Sequence, residues 1–395
     1  MKEVVIVGGL RTPVGNLGGK LKDIKAHELG AFIVKALIKK YELDVNQIDE
    51  IIFGCVGQTS EAPNIARVIA LLSGIPDSIP AFTVHRNCAS SIQAIISATQ
   101  MIKSNDADLI ICGGVESMSN LPYVVKNARF GYRLRHGEFT DYIWECLTDP
   151  VCGMIMGLTA EKLAEIYNIT RQEQDQFALS SHKKAIMAIK SDKFKNEIVP
   201  IAPNKRKPEE LFSIDEGPDE SLTLEKLAKA PTVFKKDGTV TPGNACSISD
   251  GASCVLVMSK EKAKSLGYEP WATITGYATA GVDPSIMGVA PAYSIPKALK
   301  KAGLNIDQID LFEINEAFAA QYIAVDRQLK KDGMIIPSEK LNVNGGGIAL
   351  GHAVGSTGCR LVVTLLHEMR RQNLKKGLAS LCVGGGLGST IILER

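Results

Sequence analysis

The sequence lacks the long apolar stretches and the charge imbalance that are typical of membrane and nucleic-acid proteins. No run approaches the roughly 18 apolar residues that a bilayer-spanning helix needs. The 395 residues carry 45 basic and 43 acidic side chains, so the net charge of +2 gives no electrostatic reason to expect a nucleic-acid or membrane partner. The opening MKEVVIVGG predicts a short buried strand and is too short for a secretory leader. We therefore expect a cytoplasmic protein.

Cysteine pairing and a nucleotide-binding loop are also missing from the sequence. The nine cysteines are odd in number and contain no C-x-x-C pair, which argues against a disulfide framework and against a zinc site. Cys55, Cys112 and Cys254 lie in apolar, strand-like runs, where a cysteine is usually a small buried hydrophobic residue. VVIVGGLRTPVG lacks both the G-x-G-x-x-G spacing and the later acidic residue of an NAD site, which disfavours a dehydrogenase.

Strand-like runs alternate with helix-like stretches along most of the chain. VVIVG (4–8) precedes an amphipathic stretch at 26–40, and DLIICGG (108–114) closes the first unit. This alternation predicts an α/β fold with mainly parallel strand pairing. A chain of 395 residues is longer than one compact core usually needs, so we expect two or three domains.

The second half of the chain repeats part of the first. KALIKKYELDVNQIDE (35–50) resembles KALKKAGLNIDQIDL (297–311), and the offset is 261 residues from Leu43 to Leu304. Further on, LIICGG (109–114) has a counterpart in SLCVGGG (380–386). Two half-length copies of one α/β unit explain both the length and the spacing.

The segment from 119 to 247 breaks the alternation and reads as an insertion. It contains a predicted helix at 159–190, which NIT interrupts so that Thr170 caps the second half, with Glu173 three residues later. Insertions in α/β folds often cover an active site. The predicted domains are an N-terminal core (1–118 plus 248–270), a loop domain (119–247) and a C-terminal core (271–395).

Cys88 is the first candidate for chemistry. In AFTVHRNCASSIQAI a strand ends and a helix begins at or next to the cysteine. The free N–H groups and positive dipole of a helix N-terminus stabilise a thiolate, so we expect a thiol pKa below the usual value of about 8.5. The same N–H groups could hold an oxyanion. The alternative is a buried structural cysteine that starts a helix.

Three further candidates lie at comparable points of the predicted strands. His352 lies in NVNGGGIALGHAVGSTGCRL, Cys382 in SLCVGGGLGST, and Asn315, followed by Glu316, in LFEINEAFAAQYIAV. Ligands of open α/β sheets bind at the carboxyl ends of strands, so we expect one shared site. Each candidate has an open alternative. His352 could be a hydrogen-bonded loop histidine, and Asn315 could cap a helix. GGGLG after Cys382 could be a phosphate-binding loop, although almost no chain remains to form the helix that such a loop needs.

Four segments resemble the signature blocks of thiolases, in the same order and spacing. They are RNCASS around Cys88, INEAFAAQ (314–321), NGGGIALGH with GSTG (344–358) and LCVGGGLG (381–388). The resemblance extends from the first strand to the last. It implies a five-layer αβαβα fold, built from two similar βαβαβαββ core domains with an inserted loop domain, and a homodimer or homotetramer.

The resemblance also implies roles for individual residues. Cys88 would be the nucleophile, His352 its activator, Cys382 the general acid–base, and Asn315 the holder of a water that completes an oxyanion hole with His352. The backbone N–H groups of Cys88 and Gly384 would form a second hole. The residues at the family's substrate-binding positions are Met156, Phe234, Cys246, Ala317 and Phe318.

The implied activity is the reversible Claisen condensation of two acetyl-CoA to acetoacetyl-CoA, or the thiolysis of a 3-ketoacyl-CoA. Because a thioester α-proton is a poor acid, the enolate must form against donors already in place. A ping-pong route through an acyl-cysteine divides the reaction into two easier steps. The substrates are CoA thioesters, and no metal or redox cofactor is required.

Several positions depart from the family pattern. Ser91 replaces the usual glycine after CAS and is expected to narrow the space beside the nucleophile, and Ala353 replaces a proline after His352. Ile155 precedes Met156 where short-chain members have histidine, which weakens an assignment to acetoacetyl-CoA alone. Asp219 stands where many members have an arginine near the adenine. Lys205, Arg206 and Lys207 could replace that contact.

Two rival functions remain open at this stage. A ketoacyl synthase would use carrier-protein thioesters with Cys-His-His or Cys-His-Asn, and Cys382 at the acid–base position argues against it. A non-catalytic acyl-CoA-binding protein of the same fold draws slight support from Ser91 and Asp219, and it predicts that Cys88 is no more reactive than other thiols.

Overall fold

The computed structural model describes residues 2–134 and 136–395. The strands are β1 (Val4–Arg11), β2 (Gly15–Asn16), β3 (Glu50–Gly54), β4 (Ala81–Val84), β5 (Leu109–Ser117), β6 (Tyr123–Val125), β7 (Phe139–Asp141), β8 (Ser249–Ser259), β9 (Ala272–Gly281), β10 (Leu311–Ile314), β11 (Lys376–Val383) and β12 (Leu387–Glu394). The helices are α1 (Ala26–Lys40), α2 (Ile65–Leu72), α3 (Ser90–Ser104), α4 (Tyr142–Cys146), α5 (Met156–Ile166), α6 (Arg171–Lys190), α7 (Leu224–Lys229), α8 (Lys260–Ser265), α9 (Pro291–Ala302), α10 (Ala319–Lys331), α11 (Gly347–Leu350) and α12 (Val354–Arg371).

The main sheet is mixed, so the prediction of mainly parallel pairing was wrong. Its order is β10-β11-β12-β9-β1-β8-β5-β3-β4, with β2 beside β8. Pairing is parallel only at β10–β11 and across β4–β3–β5, whereas every contact from β11 through the centre to β5 is antiparallel. The reason is the connections: β12 follows β11 through a tight turn, and such a turn permits only antiparallel pairing.

The helices and the two halves of the sheet form five layers, which are held together by three apolar cores. The first lies between one sheet face and α1 with α2, and the third between the other half of the sheet and α9 with α10. The middle core is formed by α3 and α12 together with strands of both halves. The two halves of the sheet are joined edge to edge by only two residue pairs between β1 and β9. The five-layer fold implied by the resemblance is confirmed.

The internal repeat is confirmed in the backbone. Short 3-10 turns at Val45–Gln47 and Ile306–Gln308 keep the 261-residue offset read from the sequence. The first turn leads into β3, which pairs in parallel with β5, and the second leads into β10, which pairs in parallel with β11. In each copy, the carboxyl ends of two neighbouring parallel strands therefore lie at the same edge of the sheet.

Helix α12 lies in the middle layer and is buried along nearly its whole length, from Val354 to Met369. A helix that is buried on all sides belongs to the core, and this one contacts α3 and strands of both halves. Its N-terminal end, two residues after His352, is consequently fixed against both halves of the molecule. The same end therefore has little freedom to move relative to α3, which follows Cys88.

The inserted segment contains α4 to α7 and the separate two-stranded sheet of β6 and β7. The predicted break in its long helix is confirmed, because α5 ends at Ile166 and α6 begins after Thr170. Thr170 and Glu173 form a capping box. The chain then returns to the main sheet at β8, as predicted. No helix in the described part of the chain is long and apolar enough to cross a membrane.

A buried ion cluster ties β1 to the inserted segment. The Arg11 guanidinium donates through Nε to Glu197 at 2.7 Å and through Nη1 and Nη2 to both oxygens of Asp215 at 2.7 and 2.9 Å. All three side chains are almost completely excluded from solvent. Substitution of Arg11 would leave two buried carboxylates without their cation.

We expect Arg11→Met to lower the free energy of unfolding by about 3–5 kcal/mol, the usual cost of breaking a buried ion pair from one side. Guanidinium unfolding followed by circular dichroism measures the effect. Lys205→Met is the matched control, because Lys205 is an exposed lysine paired with Glu28, and its loss should leave unfolding nearly unchanged. Equal midpoints for the two variants would contradict the structural role of the cluster.

Candidate functional site

Cys88 lies in a tight turn between β4 and α3, as the sequence predicted. Ala89 is the N-cap of α3, and the Ser90 hydroxyl donates to the Asn87 carbonyl at 2.6 Å. Asn87 adopts a positive φ of 41°, which asparagine tolerates better than most residues. Its side-chain amide donates to the carbonyl oxygen of Gly384 at 2.7 Å. The nucleophile turn is therefore attached to the turn between β11 and β12.

The electrostatics of Cys88 differ from the prediction. Burial raises the pKa of Cys88 to about 11, while the backbone N–H groups of Gly384 and of Cys88 itself act in the opposite direction. The predicted lowering of the pKa by the helix N-terminus was therefore wrong for the free protein, because desolvation outweighs it. These two N–H groups belong to the residues that the resemblance implies for an oxyanion hole, and that role stays a prediction.

Three cysteine sulfurs belong to this site. Cys382 is the penultimate residue of β11 and is buried, and burial raises its pKa well above the usual range. A thiolate at Cys88 or Cys246 would raise the pKa of Cys382 further, and Cys246 packs in the same apolar cluster as Cys382. The Cys246 backbone N–H donates to the Ala317 carbonyl at 3.0 Å. The structure thus brings together the two thiols that the sequence proposed as partners.

One apolar cluster surrounds Cys382. The five predicted substrate-binding residues all belong to it, and they are Met156, Phe234, Cys246, Ala317 and Phe318. The rings of Phe234 and Phe318 meet edge to face, with centroids 6.3 Å apart. Gly157 permits this contact, because a Cβ there would lie 2.3 Å from the Phe234 ring. Met156 and Phe234 come from the inserted segment, so that segment contributes directly to the site.

His352 lies two residues before the start of α12. Its backbone pairs with Ile248, and Ile248 and Val354 pack in one small cluster with Cys88. Its Nδ1 is 2.7 Å from the Thr357 hydroxyl, and its Nε2 is buried without a partner among the described residues. Burial, with the positive charge of Arg360 second, lowers the pKa of His352 to about 3. A neutral imidazole with a free Nε2 can accept a proton from a neighbouring thiol.

Asn315 follows β10, and its backbone N–H donates to the Ser380 carbonyl of β11 at 2.9 Å. Both polar atoms of its side chain are buried without a protein partner in the described residues. The residue before α10 is Phe318, so the alternative of a helix-capping asparagine was wrong. Glu316, which the sequence left without a role, accepts hydrogen bonds from Ser181 and Asn342 at 2.5 and 2.8 Å and fixes the loop.

Two residues that sequence reasoning missed hold the candidates in place. Thr357 contacts His352, and Asn87 contacts Gly384. The spacing could have indicated Thr357, because it lies five positions after His352 and therefore in the first turns of the helix that follows the histidine. Nothing in the sequence indicated that the Asn87 side chain would cross to a strand nearly 300 residues later.

The departures from the family pattern are accommodated locally. The buried hydroxyl of Ser91 accepts the Cys359 N–H at 2.9 Å, so it faces α12 and not the nucleophile, and the expected narrowing was wrong. Space for it exists because position 114 is glycine, where a Cβ would lie 2.5 Å from the Ser91 Cβ. Ala353 caps α12 without proline, and its carbonyl accepts the Thr357 hydroxyl at 2.9 Å.

Two of the three basic residues considered for the CoA nucleotide are paired with acidic side chains. Lys205 is paired with Glu28, and Lys207 is paired with Glu210, both at the surface. The Asp219 backbone N–H donates to the His182 ring at 3.0 Å. The nucleotide contact stays a prediction. Within residues 2–134 and 136–395 no group of three or more His, Cys, Asp or Glu side chains is placed to hold a metal ion.

The raised pKa of Cys88 makes a prediction about its reactivity. Since only the thiolate is nucleophilic, iodoacetamide should alkylate Cys88 of the free protein about tenfold faster for each pH unit from about pH 7 to pH 10. Peptide mass spectrometry measures the rate at this residue, and acetyl-CoA should protect it. A rate independent of pH over this range would show a preformed thiolate and contradict the electrostatic description.

Comparison with known proteins identifies relatives over the whole chain. The family model for the N-terminal domain of thiolase matches residues 4–261, and that for the C-terminal domain matches residues 268–395. An acetyl-CoA acetyltransferase of Syntrophomonas wolfei is 50% identical over 396 residues, covering 100% of this chain and 99% of that protein.

Solved structures agree with these relatives. An acetyl-CoA acetyltransferase from Bacillus anthracis matches with a TM-score of 0.96 and 46% identity, covering 100% of this chain and 99% of that one. Human mitochondrial 3-ketoacyl-CoA thiolase, in complex with CoA, matches with a TM-score of 0.95 and 42% identity, covering 100% and 98% of the two chains.

Proposed function

Because this chain belongs to the thiolase family, we propose that it is an acyl-CoA C-acetyltransferase that works through an acyl group on Cys88. The observation that carries the proposal is the hydrogen bond from the Asn87 side chain to Gly384, which attaches the turn of Cys88 to the end of the strand that contains Cys382. Nearby, Nε2 of the His352 ring has no hydrogen-bond partner in the described part of the chain. A nucleophile, a base and an oxyanion site are the parts that acyl transfer needs.

In the first half-reaction the Cys88 thiol gives its proton to Nε2 of His352, and the sulfur attacks the carbonyl carbon of acetyl-CoA. The oxyanion of the tetrahedral intermediate accepts hydrogen bonds from the N–H groups of Cys88 and Gly384. When the carbon–sulfur bond to CoA breaks, Cys382 gives its proton to the departing CoA sulfur. The site then holds an acetyl thioester, a thiolate and an imidazolium, and its total charge is unchanged.

In the second half-reaction the Cys382 thiolate removes a proton from the methyl group of a second acetyl-CoA. The enolate oxygen accepts hydrogen bonds from the His352 imidazolium and from a water held by Asn315. The enolate carbon attacks the acetyl group, the bond to Cys88 breaks, and the Cys88 sulfur takes the proton back from His352. Burial supports the role of Cys382, because the high pKa it produces makes the thiolate a strong base.

The apolar cluster favours short acyl chains, because Met156 and two aromatic rings close around Cys382. Thiolysis of 3-ketoacyl-CoA substrates of increasing length tests the function. We expect cleavage of acetoacetyl-CoA by the wild type, and none by Cys88→Ala. In Phe234→Ala the preference should move towards longer chains by on the order of tenfold in kcat/KM.

Two outcomes of this assay would contradict the proposal. One is cleavage by Cys88→Ala at the wild-type rate. The other is a clear preference for acetyl carrier protein over acetyl-CoA as acyl donor, which would indicate a ketoacyl synthase. An unchanged length profile in Phe234→Ala would contradict only the assignment of the acyl pocket.

We further propose that residues 119–247 form a loop domain over the site and that the chain assembles into a homodimer or homotetramer. Support for the first comes from Met156 and Phe234, which reach Cys382 from this segment. The proposed assembly is supported by exposed apolar side chains of the same segment, including Phe130 and Leu134, which are 95% and 88% exposed. Large exposed apolar patches commonly mark association surfaces.

A further inference from the structure

Arg360, on α12, is a buried cation that the mechanism above does not use. Its side chain is 3% exposed, and Nε, Nη1 and Nη2 are all buried without a hydrogen-bond partner among the described residues. A guanidinium carries five N–H donors, and leaving them unpaired in the interior is costly. Arg11, the other buried arginine of this region, is by contrast fully paired with carboxylates.

A small internal cavity lies beside Arg360. Its volume is about 10 Å³, and its lining includes Arg360, Thr357, Ser356 and Thr12. A space of this size holds about one water molecule, and a water needs two or more polar partners to be stable there. The guanidinium and the hydroxyl groups provide these partners. The cavity therefore matches a single bound water.

The same cavity touches the residue that orients His352. The Thr357 hydroxyl donates to the Ala353 carbonyl at 2.9 Å, so its oxygen accepts at 2.7 Å from Nδ1 of His352. This arrangement fixes the tautomer in which Nδ1 carries the proton and Nε2 is free to act as the base. A hydroxyl oxygen has a second lone pair, which can accept one more hydrogen bond from a water in the cavity.

We propose that Arg360 is a positioning residue for His352 and acts through one water molecule bound between its guanidinium and the Thr357 hydroxyl. The proposal rests on the proposed function, in which His352 is the base for Cys88. The positive charge of Arg360 also acts on the ring, because it adds to the effect of burial and lowers the pKa of His352.

Helix α12, which carries Arg360, also packs against β10, the strand that ends directly before Asn315. Glu313 lies on β10, two residues before Asn315. Burial raises the pKa of Glu313 to about 8, although the positive charge of Arg360 acts to lower it. Glu313, Arg11, Asp215 and Glu197 are the charged groups acting on Arg360. Arg360 therefore acts electrostatically on both His352 and Glu313.

The test compares Arg360→Met, Arg360→Lys and a surface control, Arg370→Met, by the pH profile of kcat/KM for thiolysis. Removing the charge raises the pKa of His352, and a protonated imidazole cannot accept the Cys88 proton. The acidic limb of the profile should therefore move to higher pH in Arg360→Met, with kcat reduced on the order of 10²-fold and KM nearly unchanged. Arg360→Lys should restore most of the profile, and Arg370→Met should match the wild type.

A second pair of variants keeps the test decisive should Arg360→Met fail to fold. Thr357→Val removes the hydroxyl and Thr357→Ser keeps it, so we expect a large loss of kcat in the first and little in the second. A crystal structure that resolves ordered water should show one water within hydrogen-bond distance of Arg360 and Thr357.

Three results would overturn the inference. One is a folded Arg360→Met with the wild-type kcat and pH profile, another is equal kcat for the two Thr357 variants, and the third is a dry cavity. A purely structural Arg360 would lower the melting temperature and leave the acidic limb in place. The proposed function would survive each result, because it depends on the loss of activity in Cys88→Ala.

Discussion

Replacement of Cys88 by alanine is expected to lower kcat/KM for thiolysis by on the order of 10⁴-fold or more, because no acyl-enzyme can form. The turn around residue 88 is held by Ser90 and by the contact between Asn87 and Gly384, neither of which uses the sulfur. The variant should therefore keep its fold and still bind acetyl-CoA. Loss of activity without loss of binding is the expected signature of a missing nucleophile.

The measurement is a thiolysis assay together with calorimetric binding of CoA. Cys152→Ala is the matched control, because Cys152 is a half-buried cysteine of the inserted segment to which no role is assigned. The control should retain wild-type kcat/KM. Residual activity of Cys88→Ala within tenfold of the control would mean that the acyl group is carried elsewhere.

Replacement of Cys382 by alanine is expected to separate the two half-reactions. Without the base that removes the α-proton, condensation and thiolysis should fall by on the order of 10³-fold, within the usual contribution of general acid–base catalysis. Cys88, His352 and Gly384 remain, and the CoA sulfur can leave as a thiolate without the proton of Cys382. The transfer of an acetyl group to Cys88 should therefore persist at a reduced rate. The cavity left by one sulfur atom in the apolar cluster is small and should not unfold the site.

Two measurements separate these steps in Cys382→Ala. Exchange of the acetyl methyl protons of acetyl-CoA with deuterated water, followed by NMR, should be lost. Acetyl exchange between labelled and unlabelled CoA should be reduced much less. Retention of methyl exchange at the wild-type rate would remove Cys382 from the acid–base role.

Local features of the fold could be predicted where the sequence contains a local signal. The capping box of Thr170 and Glu173 and the helix start after Cys88 are such cases, since both depend on neighbouring residues. The internal repeat was visible because its two copies keep the same spacing. The direction of β8 and β12 was not visible, since it depends on how distant segments return to the sheet.

The electrostatic properties of the site were harder to predict than the identity of the residues that form it. The sequence shows that Cys88 precedes a helix but not how much of the thiol is desolvated, and desolvation decides the sign of its pKa shift. The orientation of Ser91 towards α12 likewise depends on glycine at position 114, on a strand that is not adjacent in sequence. Such effects follow from tertiary packing.

The central claim is that Cys88 carries the acyl group during the reaction. Its most direct test is peptide mass spectrometry of Cys382→Ala after brief incubation with acetyl-CoA, because this variant forms the intermediate and cannot condense it. We predict one added acetyl group on the peptide that contains Cys88 and none on the peptide that contains Cys246. Absence of acetylation at Cys88, or acetylation at Cys246 in its place, would contradict the account.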